Sequence, residues 1–279
     1  MGDRIRIGNV EILAFVDIGP ASRDPAMVFP DVAAEAWGPH AQTMTPDGQL
    51  PFQMGFFVLR AGGQTMLVDT GLGRGPHEAM GGIGGKLMDQ LNGAGIRADD
   101  VSHVLITHLH ADHVGWNVTW DGDAARATFP NATYTVPQGD WDHFMSADIL
   151  PASPHMEQNV IPLQQLNAMR LVEDGESITD AITTLVTPGH TPGHQCFLIS
   201  SAGERAIIIG DAFHTVAQLQ ETSWNVGFDV DKPLAAQTRA ALVQRLEDEG
   251  LTVASGHMPV GSNIGRVVRL EGKRTWQVL

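Results

Sequence analysis

A single cysteine, Cys196, excludes an internal disulfide framework and any zinc site built from four thiolates. It stands in His194-Gln195-Cys196-Phe197-Leu198-Ile199, which reads as a strand, so a buried and inert thiol is expected there. Long apolar runs are also missing. Stretches such as Ala206 to Ile209 fall far short of the roughly 20 residues that cross a bilayer. The opening Met1-Gly2-Asp3-Arg4-Ile5-Arg6 lacks the apolar stretch of a secretory signal, and Arg6 spoils a myristoylation pattern, so the cytoplasm is the expected location. Basic residues are few. With 17 Lys and Arg against 32 Asp and Glu the formal charge is −15, which repels polyanions at long range and leaves nucleic acid and anionic membranes off the list of expected partners. No run of Pro, Ser or charge resembles a linker, so residues 1–279 are expected to form one domain.

What is present suits a globular chain with a sizeable core: 43% of residues are hydrophobic and 18% charged. Gly55 to Arg60, then Gly62-Gly63, then Gln64 to Asp69 reads as a hairpin with a glycine turn. Val101 to Ile106, Ala181 to Val186, Ala206 to Ile209 and Leu251 to Ala254 are short apolar, β-branched runs that read as buried strands. One helix is well punctuated, with Asp231 as cap, Pro233 in the first turn and Gly250 past the end. Its apolar face is expected to carry Leu234, Ala241, Leu242 and Leu246, with Arg239 elsewhere. Strands and helices mix throughout, an α/β or α+β plan. Residues 24–53, with five prolines, are expected to be irregular and to lie at a substrate mouth or a dimer contact. Gly71 to Gly85, with seven glycines, is a second loose region.

The chemistry concentrates in Thr107-His108-Leu109-His110-Ala111-Asp112-His113, at the C-terminal end of the strand Val101 to Ile106. His108 and His110, two apart, can point the same way from an extended loop and grip one ion; Asp112 and His113 follow a turn and can reach a second. Imidazole and carboxylate suit zinc and its neighbours. The pattern recurs downstream, where apolar strands run into Gly189-His190, Gly210-Asp211 and Gly256-His257. Glycine lets the backbone turn sharply and approach a site closely, and sheets collect functional groups at their strand ends. An isolated His-x-His is more often a surface or packed pair. Four such exits together favour a site for two metal ions.

This set resembles the metallo-β-lactamase superfamily, and Leu67-Val68-Asp69-Thr70-Gly71 matches that superfamily's early strand-and-turn motif. The resemblance covers roughly Gly55 to Arg269. It implies a four-layer αββα sandwich in which His108, His110 and His190 hold one ion, Asp112, His113 and His257 hold the other, and Asp211 bridges both. Thr187-Pro188-Gly189-His190-Thr191-Pro192-Gly193-His194-Gln195 looks like the N-acyl homoserine lactone lactonases and the methyl parathion hydrolases. The lactonases typically place a tyrosine three residues after the bridging aspartate. Here that residue is His214, which is more like the parathion hydrolases, and the only tyrosine, Tyr134, is far away in sequence.

The expected activity is therefore hydrolysis of a small ester-like bond, a lactone or carboxylic ester first, by a hydroxide held between two divalent cations. Zinc is the first expectation, with Mn, Co or Fe as alternatives. A phosphotriester hydrolase is the nearest rival; a nuclease or a mononuclear iron redox protein on the same fold ranks lower. Asp211 is expected to orient the nucleophile, and His214 to assist the oxyanion or protonate the leaving group or else to be structural. His194 and Asp69 are expected to support the site, and His103 to pack in the core. Met27, Phe29, Trp37 and Met44, with Trp116, Trp120 and Phe213, form either an apolar mouth for a small neutral or hydrophobic substrate, a homodimer contact, or plain packing.

Overall fold

The glycine turn at 62–63 joins two strands whose alternation decides how the molecule layers. A computed structural model describes residues 4–78, 81–259 and 261–279. Met1 to Asp3 of the opening stretch, and Ala79 and Met80 of the glycine-rich region, lie outside the described residues. The first sheet begins with β1 (Arg4–Ile7), β2 (Val10–Arg23), β3 (Leu50–Ala61) and β4 (Gln64–Val68), all antiparallel neighbours. β5 (Val101–Leu105) then pairs parallel to β4. A small separate hairpin, β6 (Val118–Asp121) and β7 (Ala124–Ala127), precedes β8 (Thr133–Pro137) and β9 (Met169–Val172), which extend the first sheet in parallel.

The second sheet is also seven-stranded and runs in sequence order. It comprises β10 (Ser177–Thr179), β11 (Ile182–Val186), β12 (Gln195–Ser201), β13 (Glu204–Ile208), β14 (Thr252–Ala254), β15 (Ile264–Leu270) and β16 (Lys273–Val278). Only β13 and β14 pair in parallel within it, and the long helix lies between them in sequence, as a parallel crossover requires.

Period-two alternation in β3 explains the sandwich. Phe57 and Leu59 face the second sheet and join Met66, Val68, Leu105, Phe197, Ile199 and Ile208 in a core between the sheets. Phe56 and Val58 point the other way and pack with Leu67, Val104, Ile106 and Val136 beneath helices. Both faces are buried, and each such side chain stabilises by roughly 1.5–3 kcal/mol. Helix α1 (Pro25–Val28) precedes β3; α2 (Leu87–Gly93), α3 (Ala111–Val114), α4 (Gln138–Phe144), α5 (Pro154–Asn159) and α6 (Ile161–Gln165) follow β4. Leu87, Leu91, Trp141, Phe144, Met156 and Leu163 from four of these cover the outer face of the first sheet. Helix α7 (Lys232–Asp248) covers the second through Leu242, Val243 and Leu246 against Ile207, Ile209, Val253 and Val267. The layers are those of the expected αββα sandwich. No helix of the described residues is long and apolar enough to cross a membrane.

Three expectations change. Residues 24–53 are more ordered than their prolines imply. β2 runs to Arg23, Asp24 caps α1 by accepting from the Ala26 N–H at 2.9 Å, a 3₁₀ helix spans Ala34–Thr43, and β3 starts at Leu50. Proline here opens a first helical turn, where its missing N–H costs nothing. In α7 the cap is Asp231 as expected, accepting from the Leu234 N–H at 3.0 Å, but the buried stripe is Ala235, Arg239, Leu242, Val243 and Leu246. Ala241 is exposed, and the charged Arg239 is inside because it finds buried acceptors. His103 is only half-buried, in the middle of β5 near Arg170, with burial and that cation lowering its pKa.

Candidate metal centre

Each strand that carries a sequence motif delivers one group to the same edge of the sandwich. Beyond β5 the chain presents His108 and His110, and His110 then stands at the N-terminus of α3, whose first turn supplies Asp112 and His113. β11, β13 and β14 lead to His190, Asp211 and His257. The glycines before them are needed for space. A Cβ on Gly189, at φ 131°, would lie 2.3 Å from the Ala235 nitrogen; one on Gly210, at φ 49°, would lie 2.7 Å from His194 Nε2. No L side chain fits either place without displacing backbone or ring.

The donor atoms converge. Those of His108, His110 and His190 lie within 4.8 Å of one another, as do those of Asp112, His113 and His257. Asp211 joins both halves: Oδ2 is 3.3 Å from His190 Nε2, Oδ1 is 3.3 Å from His113 Nε2, and His257 Nε2 is 3.1 Å from each oxygen. All seven residues proposed from the sequence meet here. His214 meets them too, with Nε2 3.2 Å from Asp211 Oδ2.

The rings are held from behind. His113 Nδ1 donates to Asp69 Oδ2, His190 Nδ1 to Asp229 Oδ1 and His257 Nδ1 to the Gln53 carbonyl, each at 2.8 Å. These bonds put the proton on Nδ1 and turn the Nε2 lone pair inward, the state in which imidazole binds a cation. Inside, His113 Nε2, His190 Nε2 and Asp211 Oδ1 are buried and have no hydrogen-bond partner. Buried polar atoms are almost always paired. A cluster of inward lone pairs and one carboxylate, unpaired at three atoms, fits divalent cations.

The local electrostatics follow from crowding. Burial would raise the Asp211 carboxyl, but His257, His113 and His108 around it hold it well below the usual carboxylate range. Burial, reinforced by neighbouring imidazoles, pushes His108 and His110 well below an ordinary histidine. Burial also pulls on His190, yet Asp211 and Asp229 raise it to about 9. His214 is pushed down to about 4 by burial, which outweighs its bond to Asp211.

Supporting groups divide into those visible in the sequence and those not. Asp69, held at φ 62°, also accepts the Thr107 N–H and Oγ–H, both at 2.8 Å, and so fixes the start of the histidine loop. A left-handed non-glycine residue is strained, and strain of this kind persists where the surroundings enforce it. His194 receives the Asp211 N–H on Nε2 at 3.0 Å and is held at Nδ1 by Thr187; burial lowers its pKa to about 3. Cys196 is buried, its thiol pushed up to about 12.

Sequence reading missed Asp140, Asp229, Arg239 and His155. Asp140 accepts the Leu109 and Gly193 N–H groups and the Thr191 hydroxyl, tying the two histidine loops together. Asp229 is itself gripped by buried Arg239 at 3.3 Å. Neither aspartate sits in a motif; the one available signal was a buried-stripe position at Arg239 in α7. His155 donates from Nε2 to the Leu109 carbonyl at 2.8 Å, and burial lowers its pKa. His40, His77 and His143 join none of the ligand groups.

A cavity of about 520 Å³ opens over the cluster. His110, Asp112, Asp211, His214 and His257 line it together with Met27, Val28, Leu50, Phe52, Met54, Leu72, His155 and Phe228. Of the mouth residues expected from sequence only Met27 is present. Phe29 and Trp37 instead pack with Leu50, Ala217 and Val226 in a small separate core, with Met44 against them. Phe213 is buried under α7, Trp116 packs on the helical side of the first sheet, and Trp120 is exposed on β6 with its indole N–H on the Gln158 carbonyl. An apolar residue near a ligand in sequence is here more often behind the site than over it.

A helix–sheet–sheet–helix sandwich with a histidine and aspartate cluster at one edge defines a class of metal-site proteins. The sequence pattern of the Metallo-beta-lactamase superfamily matches residues 56–257. The chain belongs to that superfamily. It is 28% identical over 182 residues to the N-acyl homoserine lactonase AttM of Agrobacterium fabrum, covering 62% of this chain and 64% of the relative, and so spans just under two thirds of that protein's length. It is 23% identical over 223 residues to the N-acyl homoserine lactonase AiiA of Bacillus thuringiensis subsp. kurstaki, covering 73% of this chain and 81% of the relative. Among solved structures, the hydrolase AbOPH of the beta lactamase superfamily superposes with TM-score 0.83 at 25% identity, over 99% of this chain and 96% of that one. AidC, a dizinc quorum-quenching lactonase, superposes with TM-score 0.80 at 22% identity, over 98% and 96%.

Proposed function

We propose that the chain is a metal-dependent hydrolase that opens lactones or related carboxylic esters. The observation that carries this is the meeting of His108, His110, Asp112, His113, His190, Asp211 and His257 beneath a largely apolar cavity. The AttM and AiiA relatives, named as lactonases, support the choice of bond.

His108, His110 and His190 would hold one divalent cation, and Asp112, His113 and His257 a second, with Asp211 between them; zinc is the first candidate, then Mn, Co or Fe. Such ions supply Lewis acidity, bringing the pKa of water towards neutrality and drawing electron density from a carbonyl oxygen. Asp69, Asp229 and the Gln53 carbonyl keep the imidazoles turned inward. Apolar walls at Leu50, Phe52, Met54 and Leu72 exclude bulk water and strengthen the electrostatics within. His214, with Nε2 3.2 Å from Asp211 Oδ2 in the cavity wall, would donate a hydrogen bond to the oxyanion as it forms or to the departing oxygen.

The proposal extends to a small, neutral or hydrophobic substrate in the cytoplasm, with no nucleic-acid or membrane partner, in keeping with a charge of −15. Met27 and Phe228, exposed at the cavity, offer an apolar face for a homodimer, which sedimentation of the purified protein tests. His214 at the third position after Asp211 favours a second reading, phosphotriester hydrolysis. Turnover of an acyl lactone and an aryl phosphotriester by one zinc-loaded sample decides. Lactone turnover greater by orders of magnitude supports the first reading; the reverse replaces it.

A further inference from the structure

Resting on the lactonase reading, we infer that His155 selects substrates by accepting a hydrogen bond from an N–H or O–H group carried beside the scissile ester. Along the cavity wall, away from the ligand cluster and His214, polar side chains are scarce: His155 and Arg23 stand among Met27, Leu50, Met54 and Phe228. Arg23 is a donor only, with its guanidinium 4.4 Å above the Phe52 ring.

His155 is different because its tautomer is fixed. Nε2 lies 2.8 Å from the Leu109 carbonyl oxygen, which can only accept, so Nε2 carries the proton. The neutral ring then offers Nδ1 as a lone pair. Among the described residues Nδ1 has no hydrogen-bond partner and is not one of the fully buried orphaned atoms, and the half-buried ring lines the cavity. The edge of Phe144 packs against the ring, with centroids 5.6 Å apart, and limits its rotation. A preset acceptor in an apolar wall rewards a substrate donor and leaves a donor-free substrate with an unmade bond. Because Leu109 lies between His108 and His110, the same hydrogen bond places this acceptor next to the reacting centre.

The test compares kcat/KM on the zinc-loaded full chain for an N-acyl amino-lactone, its N-methyl analogue, and a γ-alkyl lactone of equal length. The wild type is expected to favour the N–H substrate over its N-methyl analogue by roughly tenfold or more. His155→Phe should cut the preference for the N–H substrate over the γ-alkyl lactone by about the same factor, and His155→Gln, which keeps an acceptor, should retain most of it. Zinc content and melting temperature of each variant register any disturbance of the Leu109 loop. Equal rates for the N–H and N-methyl substrates on the wild type overturn the inference without any variant, as does a preference that survives in His155→Phe. Failure to turn over any of the three lactones would overturn the lactonase reading, and this inference with it.

Discussion

Replacing Asp229 with asparagine removes one charge from the buried chain His190–Asp229–Arg239 while keeping its outline. Arg239 is almost fully enclosed, and Asp229 Oδ2 at 3.3 Å is its carboxylate partner. Breaking a buried pair from one side costs about 3–5 kcal/mol, since the remaining charge is left without its counterion. Arg239 would keep the Ala212, Thr222 and Trp224 carbonyls at 3.0, 2.8 and 2.9 Å, which places the loss near the lower end, about 3 kcal/mol. At roughly 2 °C per kcal/mol for a chain of this size, the metal-free protein should melt about 6 °C lower. The other effect is on His190, whose Nδ1–H would face an amide instead of a carboxylate. Losing such an outer partner weakens metal binding by about 10–100-fold. Circular dichroism melts in chelator measure the first, and zinc titration against a chromophoric competitor the second. An unchanged melt together with unchanged zinc affinity would refute this account of how α7 supports the centre.

Other outcomes follow from single contacts. Gly210→Ala forces a side chain into left-handed backbone and against His194 Nε2 and Thr107 Cβ, so chemical denaturation should show a loss of at least about 1–2 kcal/mol, with weaker zinc retention. His214→Ala should lower turnover about 10²–10³-fold while bound metal is retained; unchanged turnover would remove it from the mechanism. Cys196 should resist a thiol reagent in the folded protein and react once in guanidinium, because burial holds its pKa near 12. Rapid labelling of the native chain would place that strand elsewhere.

The αββα plan and the seven clustered side chains were legible because each ligand follows an apolar strand and a sharp turn, and these are local features of sequence. Gly189 and Gly210 are informative for the same reason: what they avoid lies close to the residue that follows. The groups behind the ligands were not legible. Asp229 reaches His190 across 39 positions and Asp140 reaches Gly193 across 53, and neither stands in a pattern that marks a partner. Arg239 misled, since a charged residue reads as solvent-facing until the carbonyls and carboxylate that enclose it are known. The apolar mouth misled in the opposite sense. Phe29, Trp37 and Phe213 are close in sequence to site residues, but hydrophobicity alone does not separate a wall from a core, and all three are core.

The account depends most on a pair of cations sharing Asp211. Elemental analysis of protein purified without added metal and then equilibrated with zinc measures this directly. Two ions per chain, falling to one or fewer in Asp211→Ala, are predicted. A single tightly held iron, or no retained metal at all, would contradict it.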